Sequence, residues 1–166
     1  MSKARQIKNS KVPQNKAWNH SLALFGWPLK KLKKQKRLFL GNLSAKRDWG
    51  HAKDYVEAMW KMMQRKNPSD YVISTGKQFT VKQFVDFTLK ELGIKFKWKG
   101  KGINLKCYDE NGNCMVACSK DYFRPLEVDT LLGDSKKARK ELNWKPKINI
   151  KQLVKEMVNF ELKRFS

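Results

Sequence analysis

Apolar and polar positions along this chain recur with two different periods, and the points where the period changes mark out its elements. Arg37-Leu38-Phe39-Leu40 is a short apolar run closed by Gly41-Asn42, which predicts a strand and a turn leading to a loop at Lys46-Arg47-Asp48-Trp49. Ala52, Tyr55, Val56, Met59, Trp60 and Met63 then fall at three- and four-residue steps, so a helix is expected from about His51 until Asn67-Pro68 stops it. Tyr71 to Ser74 (YVIS), closed by Thr75-Gly76, has the composition of a buried strand. A second helix is capped by Thr80 and runs to about Leu92, with Val81, Phe84, Val85, Thr88, Leu89 and Leu92 on one face and Gly93 ending it.

The period then returns to two. Ile94, Phe96 and Trp98 alternate with lysines in IKFKW, which predicts a strand with one apolar face. Leu105 to Tyr108 and Cys114 to Cys118 flank Asn111-Gly112, a tight-hairpin signal read as a surface ribbon. Asp134-Ser135 begins a short helix with Ala138 and Leu142 inward, broken by Asn143-Trp144-Lys145-Pro146. A last amphipathic helix, Ile150 to Phe165, sets Leu153, Met157, Phe160 and Leu162 near one face. No internal repeat is visible.

Composition changes this picture in one respect. The formal charge of +22 on 166 residues would ordinarily point to a polyanionic partner. Yet the cations are thirty lysines against seven arginines, and they are spread through segments that read as ordinary amphipathic helices. Recognition of bases and phosphates favours the bidentate arginine fork, so nucleic acid is disfavoured as a partner. Residues 1–37 carry eleven of the basic residues and no acidic one, and their first twenty have no clear period; they are expected to form a basic, poorly ordered arm ahead of a folded region at 38–166. No run has the roughly 18 to 20 consecutive apolar residues of a membrane span, and no signal-peptide pattern opens the chain, so a soluble, cytoplasmic protein is expected. Cys107, Cys114 and Cys118 match no zinc spacing and read as structural thiols; no metal site is expected.

Two long motifs add a resemblance. LFLGNLSAKRDWGHAKDY (Leu38 to Tyr55) and YFRPLEVDTLLGD (Tyr122 to Asp134) resemble the carboxyl-terminal part of GDP-mannose 4,6-dehydratases, within the extended short-chain dehydrogenase/reductases. The order of strand, RDW loop, helix, strand, TGxxxTVxxF helix, lysine-rich strand, YFRP motif, NWKP and terminal helix is similar to that family from about Leu38 to Leu162. The resemblance implies a mixed α/β fold: the substrate-binding portion, without the Rossmann half. A glycine-rich turn that would bring backbone up to a pyrophosphate is missing, since Gly100-Lys101-Gly102 is late and precedes no apolar helix. None of the four tyrosines has a lysine four residues on, so the family's YxxxK pair is missing, and with it the Thr and Glu that precede the pair. The resemblance therefore implies NADP for the complete enzyme, none bound by this chain alone, and no catalytic residue within it.

What it does imply is a hold on GDP-mannose or GDP. Arg47 and Arg124 are the candidates for the diphosphate, because a planar guanidinium can bind two oxygens and stays protonated. Glu127 would accept from ribose hydroxyls or from the guanine edge, and Leu40 and Asn42 beside the Gly41 turn would cover and bond the base. Asp48, Trp49 and His51 are expected to organise the loop and helix start. Apolar surface on Tyr71 to Ile73 and on the helices beginning at Ala52 and Thr80 would lie bare without the Rossmann half. It would invite a separately encoded partner half or self-association. Three readings stay open at this point: a GDP-binding dehydratase piece working with a complementary half, a nonfunctional fragment of the same ancestry, and a basic protein binding nucleic acid or an anionic surface.

Overall fold

The computed structural model describes Arg37–Phe123, Thr130 and Leu132–Phe165, with side chains described as far as Lys163. In chain order the elements are β1 (Leu38–Leu40), β2 (Lys46–Asp48), α1 (Ala52–Met63), β3 (Gln78–Thr80), α2 (Val81–Glu91), β4 (Phe96–Lys99), β5 (Lys106–Asp109), β6 (Cys114–Cys118), α3 (Lys136–Glu141) and α4 (Ile150–Phe165). Single 3-10 turns lie at Gly102–Asn104 and Lys120–Tyr122. The mixed α/β class read from the sequence is what the chain adopts.

β1, β6, β5 and β4 form one sheet in that order, with β1 parallel to β6 and the other pairs antiparallel. The register places Leu38, Val116, Cys107 and Trp98 in one row across it, and these side chains meet Val85 and Leu89 of α2 to make the main core. The β5–β6 hairpin is therefore the middle of the sheet and not the surface ribbon its polar turn implied. In β5 Cys107 is buried between exposed Lys106 and half-buried Tyr108, whereas in β6 Met115, Val116 and Ala117 are buried in succession, so this central strand is covered on both faces. The connection has four residues, with the Asp109 carboxylate accepting from Asn113 N–H at 2.8 Å and Gly112 at φ 79°.

α2 follows β3 directly. Thr80 Oγ1 accepts from Gln83 N–H while the Gln83 amide oxygen accepts from Thr80 N–H, a reciprocal cap that fixes where the helix begins. Its opposite flank packs on α4 through Phe84, Ile150, Val154 and Val158. The inward face of α4 thus runs through Ile150, Val154, Val158 and a buried Glu161, with Leu153, Met157 and Leu162 at its margins. Phe160, expected inward, is exposed: four steps of 100° along an α-helix return close to the starting azimuth, and the series 150, 154, 158 leaves 160 on the far side.

α1 differs more sharply from its reading. Its buried positions are Asp54 and Ala58, while Val56, Met59, Trp60 and Met63 are 61%, 59%, 57% and 74% exposed. Asp54 is held inward because its carboxylate accepts from Lys147 N–H (3.1 Å) and Ile148 N–H (3.0 Å), and its carbonyl accepts from the Trp144 indole at 2.7 Å. Trp144, Ala138, Leu142 and Ala58 close a third core cluster there, with Tyr55 and Met62 at its edge. Tyr71–Ser74, expected as a strand, pairs with no strand among the described residues. Strand geometry needs a neighbour to take its amides and carbonyls. Here the segment is tied by side chains: Tyr71 donates to the Glu141 carboxylate at 2.8 Å and Ser74 Oγ donates to Gly133 O at 2.7 Å, while Val72 stays exposed. α2, by contrast, is covered, so only part of the surface expected to lie bare does so.

Candidate functional site

The turn after β1 is shaped by close backbone approach. Ser119 N–H donates to Leu40 O at 2.8 Å, and a Cβ placed on Gly41 would stand 2.3 Å from Tyr122 O. Only glycine admits that carbonyl. Asn42 is set immediately beside it, half-buried, with its side-chain oxygen accepting from Ser44 N–H at 2.9 Å and its amide nitrogen without a partner among the described residues. Leu40 itself belongs to the core, its side chain buried against the sheet, so the surface it offers the turn is backbone.

β2 and β3 form a two-stranded antiparallel ribbon in which Arg47 faces Phe79 across the register. Arg47 is half-buried and donates from Nη1 to Lys46 O at 2.7 Å, which sets the guanidinium back along β2 toward Lys46. Lys46 also makes a parallel bridge to Thr130. The chain thus passes beside Gly41 at Tyr122–Phe123 and returns beside Lys46 at Thr130. Arg124 and Glu127 lie outside the described residues. Of the five candidate binding residues, Leu40, Asn42 and Arg47 are brought to one end of the sheet and the adjoining ribbon.

Asp48 works as a clamp, accepting from Thr75 Oγ1 (2.6 Å) and Gly76 N–H (3.0 Å), which ties the Thr75-Gly76 loop to β2. His51 caps α1: its Nδ1 accepts from Lys53 N–H at 3.0 Å, which places its proton on Nε2, 3.1 Å from the Glu156 carboxylate. Both residues organise the loop, as their positions in the motif implied. Lys46 was not singled out by sequence. In a chain with thirty lysines, one more beside Arg47 carries almost no signal, and its significance comes only from the bridge to Thr130.

The described residues offer little that could carry out covalent chemistry. Burial pushes the Cys107 thiol up to about 12, so it stays protonated and unreactive. Burial, with Asp48 and Asp54 adding to it, also raises Tyr55, the reverse of what a proton-transferring tyrosine needs. Among the described residues no three His, Cys, Asp or Glu side chains gather to hold a metal.

Structures of similar shape give the class. RMD from Pseudomonas aeruginosa complexed with NADPH matches 87% of this chain and 42% of its own with a TM-score of 0.66 at 16% identity. dTDP-glucose 4,6-dehydratase from Bacillus anthracis in complex with NAD matches 87% and 39% with a TM-score of 0.62 at 18% identity. The fold is therefore that of part of a short-chain dehydrogenase/reductase of the dehydratase and epimerase kind. Sequence narrows it: the model of the family described as GDP-mannose 4,6 dehydratase matches residues 28–157. GDP-mannose 4,6 dehydratase 2 of Caenorhabditis elegans is 51% identical over 127 residues, covering 76% of this chain and 33% of that protein. The human GDP-mannose 4,6 dehydratase is 49% identical over 125 residues, covering 74% and 33%. The chain belongs to the GDP-mannose 4,6-dehydratase family and spans about a third of the length of these relatives.

The Gly100-Lys101-Gly102 loop does not fit the nicotinamide cofactors named with those solved structures. Gly100-Lys101-Gly102 leads into a 3-10 turn, and Gly100 at φ 89° is needed because a Cβ would meet Asn104 O at 2.3 Å. Its glycines serve loop closure; they do not expose a helix N-terminus to a pyrophosphate. Among the described residues, no helix is long and apolar enough to cross a membrane.

Proposed function

We propose that this chain is the part of a GDP-mannose 4,6-dehydratase that holds the GDP moiety of GDP-mannose. In this reading the whole enzyme, with NADP, turns the sugar into GDP-4-keto-6-deoxymannose. The observation that carries the reading is the approach of two motifs that are far apart in sequence: Gly41 against Tyr122, and Lys46 against Thr130. That juxtaposition flanks Arg124 and Glu127 in sequence with the turn bearing Asn42 and the strand bearing Arg47. A diphosphate carries about two negative charges, which two guanidinium groups match. Glu127 and the Asn42 amide then provide acceptor and donor for ribose or guanine.

Arg47→Ala and Arg124→Ala test the assignment by calorimetric titration with GDP. Each substitution is expected to weaken binding by about 1.5 to 3 kcal/mol, the scale of a charge-assisted hydrogen bond. Unchanged affinity in both variants would remove the diphosphate assignment.

The partner in this proposal is the nucleotide-binding portion of such a dehydratase, whether on the same polypeptide beyond this sequence or on another chain. Support comes from the exposed stripe Val56, Met59, Trp60 and Met63 and from Tyr71–Ser74, a strand sequence with no strand partner among the described residues. A sheet edge would pair the second while its face covered the first. Trp60→Glu tests this by sedimentation: association of the chain with itself or with a nucleotide-binding portion should be lost while GDP binding is kept.

A further inference from the structure

A cavity of about 380 Å³ opens between the β2–β3 ribbon, α2 and the start of α4, and none of the residues proposed to hold GDP lines it. Trp49, Phe79, Phe87, Ile148 and Ile150 line it with carbon surface. The Trp49 indole is tilted on Phe84 at 4.4 Å, and its N–H is screened from solvent without a partner among the described residues. The ring therefore presents carbon to the cavity, and its donor does not.

Polar character in the lining is of one sign. Lys77 and Lys151 are exposed at the rim with no side-chain partner, and no carboxylate lines the cavity, among the described residues. Lys147, also at the rim, is drawn off to Glu57 at 2.6 Å. Asp48 and Asp54, carried on the neighbouring elements, are spent on Thr75, Gly76, Lys147 and Ile148. The start of α4 contributes little as an anion donor. Asn149 Oδ1 already accepts from Lys151 N–H and Gln152 N–H, both at 3.0 Å. An anion here would rest on two ammonium groups above an aromatic floor. The volume falls within the range of small-molecule sites.

We propose that this cavity binds a small aromatic anion, a flat apolar body with a phosphate or carboxylate head, through residues other than those proposed to hold GDP. The body lies on Trp49, Phe79 and Phe87 and the head lies between Lys77 and Lys151. Both halves are needed. A surface with thirty lysines attracts inorganic anions everywhere, so charge alone would select nothing.

Phenyl phosphate is the probe, with inorganic phosphate and phenol as single-feature controls, each titrated into the full chain labelled with ¹⁵N. Saturable shifts are expected at the Trp49 indole and at the amides of Lys77 and Ile148 to Lys151, at least tenfold tighter for phenyl phosphate than for either control. The double variant Lys77→Gln, Lys151→Gln alters only exposed side chains and should weaken phenyl phosphate at least tenfold while leaving phenol unchanged. GDP shifts around Asn42 should persist in it, which separates failure here from failure of the nucleotide reading. Equal response to phenyl phosphate and inorganic phosphate would overturn the proposal. So would shifts centred on Met59 and Trp60, or indifference to the double variant.

Discussion

α1 and α2 carry apolar stripes of the same period, and the structure uses them in opposite ways. In α2 the face with Phe84, Val85 and Leu89 lies between the four-stranded sheet and α4. In α1 the face with Val56, Met59, Trp60 and Met63 is turned to solvent, and the covered side is built on a carboxylate and an alanine. The difference teaches that periodicity locates a helix and its apolar side but does not say which other segment covers it. For α2 the cover is β1, β6 and α4, all within this chain. For α1, the described residues cover only the side that Asp54 anchors.

The contrast can be broken by substitution. Phe84→Ala or Leu89→Ala should cost about 3 to 5 kcal/mol for the aromatic and about 2 to 5 for the leucine in denaturant unfolding, since each leaves a cavity under a closed face. Asp54→Ala should come next, at about 1.5 to 3 kcal/mol, because it strands the Lys147 and Ile148 amides that place α1 on α4's approach loop. Met59→Ala and Trp60→Glu, on the equally apolar outer stripe, should fall within about 0.5 kcal/mol of the unsubstituted chain. A large loss at Trp60 would mean the stripe is already covered by the chain itself.

The smallest effect concerns acid. The Lys147 and Lys61 ammonium groups beside Glu57 hold its carboxyl below the ordinary value of 4.5, and Asn113 does the same for Asp109. A carboxyl lowered in the folded state contributes stability above its unfolded value and loses it as the pH falls through the folded one. Unfolding midpoints should therefore hold steady at neutral pH and decline only below about pH 4.5, with high salt flattening the decline because these groups are exposed. Glu57→Gln should remove part of that slope.

How much of this was legible in the sequence varies with how local its causes are. The Thr80 cap, the end of α2 at Gly93, and the limits of α4 follow from neighbours within a few residues, and they stand where the residues put them. The alternation in IKFKW survives as Phe96 and Trp98 inward, although the paired strand begins two residues late. The β5–β6 hairpin was visible as a hairpin, but its central place depends on the parallel pairing of Leu38–Leu40 with Val116–Cys118, some eighty positions apart. Tyr71–Ser74 has strand composition, and no local rule reveals that its neighbours here are Gly133 and Glu141.

At the site, the structural parts of Asp48 and His51 were readable because the motif is contiguous. The Leu40 side chain was not, since alternation along a three-residue strand fixes no face until a partner sheet does. The part of Lys46 was hidden by composition. The cavity over Trp49 draws on four separate segments, 49, 75–79, 87 and 146–151, and no spacing announces it.

Nucleotide selectivity decides whether the chain holds GDP by its guanine as well as by its diphosphate. Calorimetric titration of the folded chain with GDP and, in parallel, with UDP isolates the guanine from the diphosphate that both share. Saturable heat is expected with GDP, and at least about tenfold weaker binding with UDP, a difference of about 1.4 kcal/mol. No heat with GDP from a protein whose circular dichroism and unfolding are cooperative, or equal affinity for the two nucleotides, would contradict it.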